Sequence, residues 1–427
     1  MSATGATELQ DQSQPASRLA RRLGTRDAVV IGLGSMIGAG VFAAIGPAAE
    51  AAGSGLLIGL VIAAVVAYCN ATSSAQLAAL YPESGGTYIY GQRRLTEFWG
   101  FLAGWSFVIG KVASCAAIAL TFGAYVDDDS ARPLAVAAVI VMTAVNYAGV
   151  EKTAHVTTLL VAVVLASLAG VVVACVAGGQ VQADHVTPLL GDGGIDGILQ
   201  AAGLLFFAFA GYARIATLGE EVRDPERTIP TAIPRALGIT LLIYALVALA
   251  ALVAVGPEVL AQADAPLVAA VEAGDLDWAS PVVRIGAATA TLGVLLSLLA
   301  GVSRTTFAMA ANGHLPRWLD AVHPSRRVPH HAELLIGAAV AVLSLTLDLR
   351  GAIGFSSFAV LVYYAIANAS AFTLSGDQRR WPRWLTVLGF SGCLILAFSL
   401  PWESLVAGAV LVALGATAYW ARFGGGR

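Results

Sequence analysis

Four glycines, Gly32, Gly34, Gly38 and Gly40, fall inside one apolar run, the segment GLGSMIGAGVF at residues 32–42. Each glycine costs about 1 kcal/mol of helix propensity relative to alanine. Two readings follow. Gly34 and Gly38 form a GxxxG pair, which lets two helices pack closely. Alternatively the helix unwinds between Ser35 and Gly40 and frees its backbone groups. An apolar medium tolerates that only where the freed groups line a cavity or are buried in protein. In the second reading Ser35, Met36, Ile37, Gly38, Ala39 and Gly40 can do chemistry. N–H groups at 38–40, at the positive end of a restarting helix, suit a carboxylate. Carbonyls at Ser35 and Met36 suit an ammonium group. A dinucleotide loop is excluded, because Ile37 stands where GxGxxG needs its last glycine and no strand precedes the run.

A second candidate lies at residues 204–214, LLFFAFAGYAR, where Ala210 and Gly211 follow an aromatic cluster. Phe206, Phe207, Ala208, Phe209 and Ala210 form its candidate set, with the 207–210 carbonyls facing an ammonium. The rings either fill a core or close over a ligand, and Phe207 is chosen as the gate. Two opposed helix breaks fit a small zwitterion or ion, since one offers donors and the other acceptors.

Ionisable residues inside apolar runs are the remaining candidates. An ionised side chain at a helix centre costs at least about 2.5–3.5 kcal/mol on insertion scales. Lys111, in WSFVIGKV at 105–112, is either paired with an acid, a fixed cation near the site, or a proton-linked coupling group. Arg214 follows the second break by a few residues, with Glu220 and Glu221 as its expected partners. The stretch EEVRDPER at 220–227 then reads as an inner gate of reforming ion pairs, or as a solvated charged loop. Enzyme signatures are missing: there is no HExxH, and Asp127, Asp128 and Asp129 have no matching acidic motif. The six histidines fall in loops or near helix ends, and no metal or cofactor is implied. Cys69, Cys115, Cys175 and Cys393 are far apart, each in an apolar run, which suits small core residues rather than disulfides.

The elements that must position these groups are membrane helices. Of 427 residues 58% are hydrophobic and 12% charged, against roughly 25% charged in an ordinary soluble domain. Mean hydropathy is +0.77. Apolar runs approach the ~20 residues that cross a bilayer. Twelve helices are expected, at about 27–50, 55–80, 98–126, 132–149, 155–178, 195–218, 231–255, 281–311, 332–348, 352–374, 384–400 and 402–421. A short surface helix is expected near 264–274. With alternating loops, 18 basic residues fall on one side and only Arg132 and Arg350 on the other, so both termini are expected in the cytoplasm. Residues 1–17 are polar, without an apolar leader, and read as a disordered tail; 18–421 form one transmembrane domain and 422–427 a second tail. Net charge is −3 with scattered basic residues, which gives no nucleic-acid partner. The sequence carries no signal for oligomeric state.

Four stretches together resemble the amino acid–polyamine–organocation superfamily of permeases: residues 32–42, PESGGTY at 82–88, residues 206–221 with RDPERTIP at 223–230, and FAMAANGHLP at 307–316. The last two are most similar to the cationic-amino-acid-transporter-like branch. The resemblance covers about 18–420 and implies an all-α integral membrane fold, a five-plus-five inverted repeat with discontinuous helices one and six. Repeat one would span about 27–178 and repeat two about 195–374, with helices eleven and twelve at 384–421. It also implies secondary active transport of L-amino acids across the cytoplasmic membrane by alternating access. An amino acid/polyamine exchanger or exporter is the nearest alternative, and a membrane-embedded lipid-modifying enzyme the alternative from another class. The implied partners are an amino acid, a co-transported proton and membrane lipid. Met36, Gly38, Ala39 and Gly40 would meet substrate main-chain groups, Phe207 would gate, and Ala208 to Ala210 would expose carbonyls. One departure stands out. Proton-coupled members of the branch carry a lysine in helix five, where this chain has Val164.

Overall fold

The computed structural model describes residues 23–81, 85–149, 154–179, 181–191, 193–216 and 222–423. The expected tail at 1–17 lies outside them. Among the described residues the structure is helical, with no strand beyond an isolated Leu23–Val222 bridge. The first interrupted segment gives α1 (Thr25–Met36) and α2 (Gly40–Ala52). Asp27 accepts a hydrogen bond from the Gly24 N–H at 2.9 Å and closes the start of α1. Then come α3 (Leu56–Leu80), α4 (Thr87–Arg94), α5 (Glu97–Val126), α6 (Ala131–Tyr147) and α7 (Ala154–Ala177). The second half holds α8 (Gly194–Phe209), α9 (Ala213–Ala216), α10 (Pro225–Gln262), α11 (Pro266–Glu272), α12 (Ser280–Ala311), α13 (His330–Thr346) and α14 (Leu349–Phe372). Two more, α15 (Arg383–Phe398) and α16 (Trp402–Phe423), close the chain.

Eight helical runs among the described residues are long and apolar enough to cross a membrane, and α6, α13 and α15 are shorter apolar helices. The most apolar window of α14 is 83% buried and that of α5 78%, against 22% in α16, so α5 and α14 form the centre and α16 the periphery. The central pair packs closely because its facing residues are small. Gly110 lies against Ala359, and the Ser114 and Ser356 hydroxyls hydrogen-bond at 2.6 Å. Outward faces of α10, α15 and α16 instead expose large apolar side chains such as Leu242, Phe398 and Trp402. Such surfaces suit lipid, since a helix apolar all round is stable only when it is surrounded by apolar matter.

Three elements differ from the sequence-based expectation. Helix α10 runs past 231–255 at both ends, starting on Pro225 and continuing through a kink where Gly256 has φ +77°. Proline is favoured in the first turn, where its missing N–H costs nothing, and glycine accepts the positive φ that the kink ahead of Pro257 requires. The helix expected near 264–274 forms over Pro266–Glu272 but is not a surface element. Leu267, Val268, Ala270 and Val271 are buried, and the Leu267 N–H donates to the Tyr125 hydroxyl at 3.3 Å. At the other end α16 continues through Phe423, past the expected limit at 421.

Candidate substrate site

The first interruption occupies residues 37–39. Helix α1 closes with the Ile37 N–H donating to the Leu33 carbonyl at 2.8 Å, and α2 opens with Ala43 N–H donating to Ala39 at 3.0 Å. The N–H groups of Gly40, Val41 and Phe42 precede that first bond and have no intrahelical acceptor. These residues are buried, as are Met36, Ile37, Gly38 and Ala39, while Ser35 is half-buried. A helix start with free donors therefore points into the interior of the molecule. The Ser35 hydroxyl is spent locally, donating to the Ile31 carbonyl at 2.9 Å.

The second interruption falls at the small pair Ala210 and Gly211, at the end of the candidate set 206–210. Helix α8 stays helical through Phe209, and the irregular stretch is a 3-10 turn over Ala210–Tyr212 that leads into α9. Three carbonyls read as open acceptors already have protein donors. Phe207 accepts from the Ala210 N–H. Ala208 accepts from the Tyr244 hydroxyl at 3.1 Å and Ala210 from the Tyr364 hydroxyl at 3.4 Å.

The two interruptions touch. A Cβ on Gly40 would overlap Ala208 and come within 3.0 Å of the Tyr244 hydroxyl. One on Gly211 would collide with the Ser35 carbonyl and reach 2.8 Å from the Met36 nitrogen. Only glycine permits this approach. Tyr244, from α10, ties the breaks together, since its hydroxyl lies 2.5 Å from the Met36 carbonyl and 3.1 Å from that of Ala208. Neither Tyr244 nor Tyr364 was legible as a site residue. Each is one tyrosine in a long apolar helix, and its only signal is that a buried hydroxyl must find a partner.

The aromatic cluster separates by role. Phe206 packs edge-on against Tyr364 at 5.8 Å and Phe209 packs at a tilt against Tyr244 at 5.3 Å, both fully buried. Phe207 is only half-buried and joins the cluster that holds Ala39, Val112, Cys115, Leu295 and Leu299. It alone of the three lies between the first break, α5 and α12. Gly38 faces the same wall, where a Cβ would run into Val294 and sit 3.2 Å from the Ala290 carbonyl.

Lys111 lies midway along α5, a 30-residue helix, and is 6% exposed. Arg214 lies on α9 and is half-buried. Its expected partners Glu220 and Glu221 lie outside the described residues. On α7, Val161 packs where a Cβ on Gly34 would sit, at 2.9 Å, and Val164 is buried in the same core, so this wall of the first break is apolar. Among the described residues no three His, Cys, Asp or Glu side chains converge to hold a metal ion. The four cysteines are free and buried.

A helical chain of this composition, with eight membrane-crossing candidates and an interior built around two touching helix breaks, is a multi-pass membrane protein. The sequence profile of the amino acid permease family matches residues 27–425, and the chain belongs to that family. It is a transporter and not an enzyme. An uncharacterized transporter of Mycobacterium tuberculosis is 63% identical over 405 residues, which covers 95% of this chain and 92% of the relative. The branched-chain amino acid permease of Bacillus subtilis is 27% identical over 434 residues, covering 94% and 93%. Cationic amino acid transporter 7 of Arabidopsis thaliana, a chloroplastic protein, is 29% identical over 420 residues, covering 90% and 71%.

Proposed function

We propose that the protein is a secondary active transporter that moves L-amino acids across the cytoplasmic membrane by alternating access. The observation that carries this reading is the buried start of α2, whose free N–H groups at 40–42 sit against α8 at Ala208. Donors with no intrahelical partner suit the substrate carboxylate. The Met36 carbonyl at the end of α1 accepts the Tyr244 hydroxyl with one lone pair, and its second lone pair suits the ammonium group. Phe207 is the aromatic gate, because it is the least buried of the three phenylalanines and borders the first break.

The architecture that goes with this function is a twelve-helix membrane domain with a five-plus-five inverted repeat. Its discontinuous helices one and six correspond to α1–α2 and α8–α9, and both termini are cytoplasmic. Arg214, Glu220 and Glu221 serve the inner gate. Lys111 is the candidate coupling group in place of a helix-five lysine, and a proton is the candidate coupling ion. An amino acid/polyamine exchanger or exporter uses the same site in another direction.

Trans-stimulated counterflow in proteoliposomes, with labelled neutral, cationic and anionic L-amino acids and with and without a pH gradient, tests the reading. Accelerated uptake of at least one labelled amino acid into preloaded vesicles is expected. No counterflow with any of them overturns it.

A further inference from the structure

Among the described residues Lys111 is a buried cation without a counter-ion. It is 6% exposed at the middle of a membrane-spanning helix, and among the described residues no carboxylate pairs with it. The described carboxylates that do face a basic group face other ones. Glu50 pairs with Arg350, Glu272 with Arg284, and Glu226 with Arg380. Glu97 meets His314 at 3.1 Å near one end of α5. Glu333, the acid found among the buried polar residues, faces Arg304. The neighbour that feels the charge of Lys111 is Cys115, a thiol one helical turn along α5. An uncompensated charge in this setting is costly enough that it is retained for a purpose.

Its surroundings identify the purpose. Val108, Val112 and Cys115, on the same stretch of α5, belong to the cluster that contains Ala39 of the first break, Phe207, and Leu295 and Leu299 of α12. Lys111 thus stands in the wall that the proposed site shares with its gate, in an otherwise apolar lining. A neutral or apolar substrate side chain would leave the ammonium unpaired, and a cationic one would add repulsion at low dielectric.

Resting on the amino-acid reading above, we propose that Lys111 is the counter-ion for an anionic side chain of the substrate. The transporter then favours amino acids with a carboxylate side chain over the corresponding amides and over basic amino acids. Binding completes an ion pair that the protein alone leaves half-made, and specificity follows because the penalty for the wrong partner is an unpaired buried charge.

Counterflow competition with purified full-length protein in liposomes tests this. Glutamate and aspartate are compared with glutamine and asparagine, and with arginine, against wild type, Lys111→Met and Lys111→Arg. Wild type should prefer each acid over its amide by at least tenfold. Lys111→Met, which keeps the volume and removes the charge, should bring that ratio near one, and Lys111→Arg should keep most of it. Amides that compete with wild type as well as the acids overturn the proposal, as does an acid preference that survives in Lys111→Met. If Lys111→Met does not yield folded protein, the wild-type ratio and Lys111→Arg decide. Absence of counterflow with every amino acid, by contrast, defeats the transport reading itself.

Discussion

Removing one oxygen atom, by Tyr244→Phe, tests whether the two helix breaks act as one unit. The Tyr244 hydroxyl is buried and reaches the Met36 carbonyl at 2.5 Å and the Ala208 carbonyl at 3.1 Å. Its single proton makes one strong bond and shares weakly with the second acceptor. Met36 closes α1, so its carbonyl has no intrahelical donor to fall back on. Net hydrogen bonds between membrane helices average about 0.6 kcal/mol and reach about 1.7, and a stranded buried acceptor costs about 1–3 kcal/mol. A loss of about 1–2 kcal/mol is therefore expected, or roughly a five- to thirtyfold change in an equilibrium constant. The ring stays in place, so its 5.3 Å contact with Phe209 is kept. Scanning fluorimetry of purified protein should show lower stability with helicity unchanged, and counterflow should show a half-saturating substrate concentration raised by that factor. Tyr244→Ala, which also removes the ring, should cost the further ~3–5 kcal/mol typical of an aromatic deletion. A Tyr244→Phe protein equal to wild type in both stability and half-saturation would refute the bridging role. One as damaged as Tyr244→Ala would show that the damage comes from something other than the two carbonyls.

Other substitutions probe neighbouring parts of the site. Gly38→Leu drives a side chain into Val294 and should abolish counterflow while the protein still inserts and elutes as a single species; normal uptake would sink the assignment of the first break. Gly211→Ala places a methyl on the Ser35 carbonyl and 2.8 Å from the Met36 nitrogen, so it should cut transport at least tenfold, and wild-type rates would mean the breaks separate freely. In the loop between α5 and α6, burial and then Asp264, Asp129 and Asp127 hold the Asp128 carboxyl above its ordinary range. A raised carboxyl costs stability only when ionised. The penalty is therefore absent below its ordinary value and grows as pH rises through the raised one. Asp128→Asn should accordingly stabilise the protein at pH 7 and have no effect near pH 3, and an equal shift in melting temperature at both would contradict the assignment.

Chain composition and periodicity determined the class of this protein, because a chain with so few charges and such long apolar runs has nowhere stable to fold but a bilayer. The position of the first break was also legible. Four glycines in 32–42 weaken one helix locally, and the interruption falls at 37–39. At the second break the small pair Ala210 and Gly211 was legible, but which carbonyls before it stay open was not. Ala208 and Phe209 have ordinary helix propensity, and the chain stays helical until Ala210. The choice among Phe206, Phe207 and Phe209 depended on which ring found a tyrosine to pack against, and those tyrosines come from α10 and α14. The same holds for Lys111. Its place inside an apolar run was visible at once, but that no acid among the described residues meets it depends on where their carboxylates lie in the folded chain. The sequence by itself determined which segments enter the membrane and where the first helix is weak, since hydrophobicity and propensity are local quantities. Only the tertiary structure decided that Gly40 meets Ala208, that Gly211 meets Ser35 and that Tyr244 reaches Met36 as well as Ala208, because the contacts to the first break join residues more than 150 positions apart and rest on close packing.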